Sequence, residues 1–269
     1  MTAGPDLQEA LRAYWEDPQT VSILDTHLHE LEIQAVLRYL QPTDVLADVG
    51  CGDGMATARY AAVVRHVDGL ERSASLRARA SRLTRLPPNM IVQDCDVLGP
   101  VPEAAYDAIV SQRCLINLPS WDEQQRAIRH LHRMLKVGGT LILVENTNEA
   151  FQAMNDLRVQ MGLARVPQHW HNRFFDYDAL TAFMGGGFQL LRHEDFGLYY
   201  LLTRVFTQMF ARFEGFGAQA VKDPIFAQAD AAARRLHQAI GNLVTLNGGR
   251  AFGPIQVFVY RREAGEWRA

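Results

Sequence analysis

The residues best placed to do chemistry begin in one short turn, VLADVGCGDG, from Val45 to Gly54. Asp48 closes a run of β-prone and small residues, and glycines follow at positions 50, 52 and 54. Glycines at a strand exit remove Cβ atoms and let the backbone pass close beneath a ligand. Three ligand classes use such a turn: a nucleoside triphosphate, a dinucleotide, or another adenosine-bearing molecule. A triphosphate loop needs Lys and then Ser or Thr after its last glycine, and Met55-Ala56 stand there instead. A dinucleotide turn wants Gly or Ala five places after its first glycine, so that the helix packs closely; the bulky Met55 occupies that place. Glu71 ends the next β-prone run, about 20 residues on, the spacing of one strand–helix–strand unit. A carboxylate there can accept hydrogen bonds from both hydroxyls of a ribose.

Further along, PQHWHNRFF (Pro167 to Phe175) sets His169 and His171 two apart, beside Trp170. An imidazole near neutral pKa can deprotonate a hydroxyl or bind a carboxylate, and it can equally cap the helix starting near Asp176. Tyr200 and Arg204 are i,i+4 neighbours able to grip an anionic or hydroxylated molecule, or to pack together in a cap. Tyr199 and Arg204 are too far apart for one helical turn. Tyr14, Trp15, His27 and His29 fall on N-terminal helices; His27 and His29 point to different faces and do not form a shared metal site.

These residues need elements to hold them. Apolar residues at helical spacing mark helices over Leu7–Tyr14 and Leu28–Leu40, closed by Pro42. Strand and helix signals then alternate: strands at Val45–Val49, His66–Leu70, Met90–Gln93, Ala108–Ser111 and Thr140–Val144, with helices over Gly54–Val64, Ser73–Leu83 and Asp122–Leu135. Ser120 or Asp122 caps the last helix, and Gly138-Gly139 ends it. Such alternation argues for a parallel sheet with helices on both faces. A connector of part-helical character runs from Asn146 to Asn172. A helix over Asp176–Met184, a strand over Phe188–Phe196, a long helical stretch over Tyr199–Leu246 and a strand over Gly253–Arg262 complete the chain. The helical stretch is too long for a plain connection and is expected to pack as extra core or as a lid.

In order along the chain, five segments resemble the class I S-adenosylmethionine-dependent methyltransferases. VLADVGCGDG is similar to their first motif, VDGLE ends the second strand at Glu71, and MIVQDCDV places Asp94 and Cys95 after the third. YDAIVSQRCLINL and HRMLKVGGTLILVEN match the fourth- and fifth-strand motifs. The match covers about Asp44 to Asn146. The resemblance implies an α/β fold with a Rossmann-like seven-stranded sheet, N-terminal helices and a helical cap before the last strand. It implies S-adenosyl-L-methionine as cofactor, S-adenosyl-L-homocysteine as product, and a cofactor site of Asp48, Gly50, Cys51, Gly52, Gly54, Glu71, Arg72, Asp94, Cys95, Gln112 and Arg113. In that site Asp48 holds the methionine ammonium and Glu71 the ribose. Asp94 takes the adenine amino group, with neighbouring Asp96 as a substitute, and Arg72 covers the adenine face.

The expected organisation is an N-terminal helical segment over 1–42, a cofactor-binding core over 43–196 and 252–263, and a helical cap over 197–251. His169 and His171 are the catalytic candidates, and Tyr14, Trp170, Tyr200 and Arg204 the substrate-binding ones. The acceptor is expected to be a small molecule methylated at oxygen, with nitrogen, protein or RNA as the alternative and cofactor binding without catalysis behind it. Ser111-Gln112-Arg113-Cys114 stands where nucleobase amino methyltransferases carry Asn/Asp-Pro-Pro-Tyr. Glu145-Asn146 mimics half of a metal-dependent catechol-type pattern, but Gln112 replaces its other aspartate, so no metal is expected. A net charge of -3 and the lack of a basic appendage argue against a nucleic-acid partner. No apolar run is long enough to span a bilayer. Three cysteines without metal or disulfide spacing fit a reduced, cytoplasmic setting. A homodimer is compatible with these features.

Overall fold

A computed structural model describes residues 5–21, 23–82, 87–210, 224–240 and 251–268. Seven strands form one sheet: β1 (Val45–Val49), β2 (His66–Glu71), β3 (Met90–Asp94), β4 (Tyr106–Gln112), β5 (Leu135–Asn146), β6 (Phe188–Asp195) and β7 (Ile255–Arg262). Their order is β3-β2-β1-β4-β5-β7-β6. The first five run parallel, and β7 lies antiparallel between β5 and β6. β1, β4 and the second half of β5 are near-continuous apolar runs buried on both faces, as central parallel strands must be. β3, at the sheet edge, buries little beyond Met90.

The helices preceding and between these strands are α1 (Pro5–Glu16), α2 (Thr26–Leu37), α3 (Met55–Ala61), α4 (Ala74–Ala80), α5 (Trp121–Met134), α6 (Asn148–Gln160) and α7 (Tyr177–Met184). Ser120 caps α5: its hydroxyl accepts from Glu123 N and donates to the Glu123 carboxylate. Asp176 caps α7 through Ala179 N, so neither histidine of the preceding loop is needed there.

Gly138-Gly139 does not end a helix. α5 stops at Met134 and the chain enters β5 directly at Leu135. The register of β5 against β4 slips between Tyr106↔Leu135 and Ala108↔Thr140. Gly138 absorbs the slip at φ +79, and a Cβ on Gly139 would lie 2.9 Å from the carbonyls of Asp107 and Lys136. Here the glycine pair marks a bulge within a strand.

Between β6 and β7 lie α8 (Gly197–Tyr200), a π-helical segment (Leu201–Phe206), a 3₁₀ turn (Thr207–Met209) and α9 (Pro224–Ile240). The long stretch expected over Tyr199–Leu246 is thus broken by changes of helical pitch, and its parts at 211–223 and 241–246 lie outside the described residues. Among the described residues no helix is long and apolar enough to cross a membrane.

Candidate active site

At the C-terminal ends of β1, β2, β4 and β5 a cavity of about 390 Å³ opens, where ligands of open α/β sheets bind. Its floor is the glycine turn. Gly50, Gly52 and Gly54 all have positive φ, at +72°, +59° and +77°. A Cβ on Gly50 would lie 2.4 Å from Cys114 Sγ, so this glycine lets the turn pack on the loop after β4. A Cβ on Gly52 would meet no atom within 4 Å, so its bare backbone faces open space in the cavity. Glu71 fastens the turn from the side, its carboxylate accepting from Gly52 N at 3.0 Å and Ser73 N at 2.8 Å. Burial pushes the Glu71 carboxyl up despite these donors.

Asp48 lies beneath the turn, 3% exposed, and accepts from the Thr57 hydroxyl at 2.6 Å. Burial, reinforced by the Glu71 charge, pushes its pKa up to about 7. An acid raised in the folded state holds its proton there while the unfolded chain has lost it, so its contribution to stability falls as pH rises from about 4 to 7. Asp48→Asn keeps an acceptor for Thr57 and cannot ionise. The variant is expected to gain stability relative to the parent over that window, by roughly 1 kcal/mol per pH unit, in urea titrations at pH 5 and pH 7.5. A pH-independent difference would mean that Asp48 ionises freely.

The loop after β4 is held by Glu145. Its carboxylate accepts from the Ser111 hydroxyl (3.0 Å) and from the backbone N–H groups of Cys114 (3.1 Å), Leu115 (2.9 Å) and Ile116 (3.4 Å). Burial raises this carboxyl to about 7. The partial metal pattern at Glu145-Asn146 is therefore a loop clamp, with the Glu145 oxygens engaged by backbone. Among the described residues no group of three or more His, Cys, Asp or Glu side chains is arranged to hold a metal ion.

Gln112 and Arg113 line the cavity under constraint. Gln112 accepts from the Tyr60 hydroxyl and donates to Glu32, a carboxylate with no exposure. Arg113 adopts φ +52, and its Nε lies 3.4 Å from the same Glu32. Arg72, Cys51 and Cys95 also line the cavity. Asp94 does not. Arg77 pairs with it at 3.0 Å and also donates to the carbonyls of Glu71 and Arg72, drawing Asp94 outward, where its side chain is 73% exposed. Two residues on, Asp96 lines the cavity instead.

The mouth is aromatic. Tyr14 stacks on His171 at 4.5 Å between centroids, and His171 stacks on His169 at 5.4 Å. All three line the cavity, and burial lowers the His171 pKa to about 4. Trp170 does not line it: it sits edge-on to Tyr14 and His171 on the outer side, 58% exposed. α1 is tied down over this mouth by the Ser73 hydroxyl, which donates to Trp15 O, and by Glu16, which accepts from Ala74 N and Ser75 N.

At the far end, Tyr200 and Arg204 line the cavity and both are buried. Asp25 organises them. It caps α2 through Leu28 N, accepts from the Tyr199 hydroxyl, and ion-pairs with Arg204. The Arg204 guanidinium lies 5.7 Å from the Tyr200 ring centre and 5.9 Å from that of Tyr199. Tyr199 and Arg204 thus meet, contrary to the α-helical expectation, because the π-helical pitch from Leu201 brings residues five apart together. A Cβ on Gly253 (φ +84) would sit 2.0 Å from the Tyr200 ring, so that glycine lets the cap close onto the start of β7.

Three further residues that the sequence did not assign to the site line it as well. His29 is 8% exposed, and burial together with the Arg113 charge lowers its pKa to about 4. Asn117 donates to Arg113 O, while its own Oδ1 is buried without a partner, as is Asn146 Oδ1. Buried acceptors left over at a cavity wall suit a ligand that carries donors. The open space above Gly52, the carboxylates of Asp48 and Glu71, and these oxygens fit S-adenosylmethionine, which has an ammonium group, ribose hydroxyls and an adenine amino group.

Comparison with known proteins agrees. Residues 47–143 match the family model of a methyltransferase domain. A probable methyltransferase of Aspergillus luteorubrus, ltbC, is 28% identical over 145 residues, 49% of this chain and 50% of that protein. The chain spans about half the length of the curated relatives it matches. Among solved structures, the N-methyltransferase NodS of Bradyrhizobium japonicum, in complex with S-adenosylhomocysteine, superposes with a TM-score of 0.54 at 12% identity, over 96% of this chain and 99% of that one. The [4+2]-cyclase SpnF superposes at 0.56 with 21% identity, over 97% and 93%. Motif order, sheet topology and cavity converge with the matched segment: residues 47–143 carry a methyltransferase domain, set in a Rossmann-like fold like that of the class I methyltransferases, with S-adenosylmethionine as its cofactor.

Proposed function

We propose that this protein transfers the methyl group of S-adenosylmethionine to an oxygen, hydroxyl or carboxyl, of a small-molecule acceptor such as a specialised metabolite or a sugar. One observation carries the reading: a single cavity runs from Gly52 and Glu71 to the buried Tyr200 and Arg204, so cofactor and acceptor share one continuous space. When bound, the cofactor supplies a methyl group already activated on sulfonium sulfur, so the chain has to align, desolvate and, for a hydroxyl acceptor, accept a proton. Glu71 holds the ribose and Asp96 the adenine side. Arg113, fixed by Glu32, meets the methionine end. α1 and the helices between β6 and β7 act as the lid that excludes water. His169 and His171 are the proton-accepting candidates at the mouth.

Incubation with methyl-labelled S-adenosylmethionine and a panel of hydroxylated and carboxylated small molecules tests this. Label is expected in an extractable small product. Label found only in protein or RNA would overturn the acceptor class. On a hydroxyl acceptor so found, His169→Ala or His171→Ala is expected to lower kcat at least ten-fold. Full turnover in both variants would remove the histidines from proton transfer.

A further inference from the structure

Behind the acceptor end of the cavity lies a charge that no carboxylate answers among the described residues. Arg158, on α6, has no exposure at all. Its three partners are neutral: Ala164 O, Arg204 O and Gln208 Oε1; its Nη2 is buried with no partner. Met154, one helical turn earlier on the same helix face, lines the cavity, as does Phe151. Through its bond to the Arg204 carbonyl, Arg158 is also joined to the residue that lines the cavity from the other side. Two guanidiniums therefore stand together, and Asp25 pairs with Arg204.

The other acid nearby does not balance Arg158. Asp230 faces His27 at 3.1 Å, and burial beside Asp25 raises its pKa to about 7. On the Tyr200 side, Glu32 is engaged by Gln112 and Arg113. The burial of Arg158 and its proximity to Arg204 both push its pKa down, the direction expected of surplus positive charge. A buried charge without a counter-charge is costly, and its field is poorly screened by salt. An anion entering the cavity would relieve that cost.

We infer that the acceptor binds as a carboxylate with an apolar body, its charge set against Arg204 and the surplus charge of Arg158 behind it, its body against Phe151, Met154, Val166 and Phe174. The inference rests on the proposed methyltransferase reading for the position of the acceptor. The ring and aliphatic side chains that line the same wall supply apolar surface next to the charge.

The test titrates the purified protein, with and without saturating S-adenosylhomocysteine, with benzoate, cinnamate, salicylate and octanoate and with the primary amide of each. At least one acid is expected to bind ten-fold or more tightly than its amide. Gln208→Glu places a carboxylate beside Arg158 and should abolish that preference while leaving S-adenosylhomocysteine affinity unchanged. Arg158→Met should do the same if it folds. No acid binding better than its amide, or a preference that survives Gln208→Glu, would overturn the inference. Absence of S-adenosylhomocysteine binding in the parent protein would instead strike the cofactor reading, and the titration without it still decides the carboxylate preference.

Discussion

Replacing Glu71 by alanine is expected to weaken S-adenosylhomocysteine binding at least ten-fold in isothermal titration calorimetry. Glu71 is 7% exposed, and each of its oxygens holds one backbone N–H, Gly52 on one side and Ser73 on the other. Each oxygen keeps a second lone pair for a ribose hydroxyl. Alanine removes those acceptors and also frees the Gly52 amide, loosening the floor on which the ligand rests. Hydrogen bonds to a charged group are worth about 1.5–3 kcal/mol each, and ten-fold in affinity corresponds to about 1.4 kcal/mol. Glu71→Gln, which retains one acceptor oxygen, should fall between the two. Parent-like affinity in the alanine variant would dismiss Glu71 as a cofactor ligand.

The glycine turn offers a second large effect, and one that separates folding from binding. In Gly50→Ala the new methyl group would lie 2.4 Å from Cys114 Sγ, on a backbone at φ +72. Left-handed strain of about 1–2 kcal/mol adds to overpacking of about 1–3 kcal/mol, a loss readable in the urea midpoint. In Gly52→Ala the methyl group meets nothing within 4 Å, so the fold should lose only the left-handed term. Yet that methyl group would stand in the space above the turn, and S-adenosylhomocysteine affinity is expected to drop by two orders of magnitude. A Gly52→Ala protein that binds normally would show that the ligand does not cross this surface.

The fold was legible because its signals are local and repeated. Five β-prone runs alternate with helices, and glycine punctuation follows the first of them. The misread Gly138-Gly139 shows where local reasoning ends: a glycine pair after a helix looks like a stop, and only the slip of β5 against β4 reveals a bulge. Asp94 and Asp96 stand two apart at a strand end, and the outward pull of Arg77 across α4 and β3 decides which one turns inward. That is a tertiary fact. His29, Asn117 and Asn146 carried no spacing signal, since each reaches the cavity from a different element. Tyr199 was separated from Arg204 on the assumption of α-helical pitch, and the change of pitch that joins them has no mark in residue type.

That change of pitch makes chain length, as much as side-chain identity, a determinant of the cavity wall around Arg204. The segment Leu201–Phe206 winds with one residue more per turn than its neighbours. Deleting a single residue there would restore ordinary winding and, because the wider turns already take up the extra residue, leave the flanking turns close to their present phase. Within the segment the side chains around Arg204 would be reset against Asp25 and Tyr199, while the turns on either side keep their faces. A change of one residue in length can therefore alter the cavity wall at Arg204 locally, while the glycine turn at Gly50–Gly54, far upstream in the chain, stays untouched.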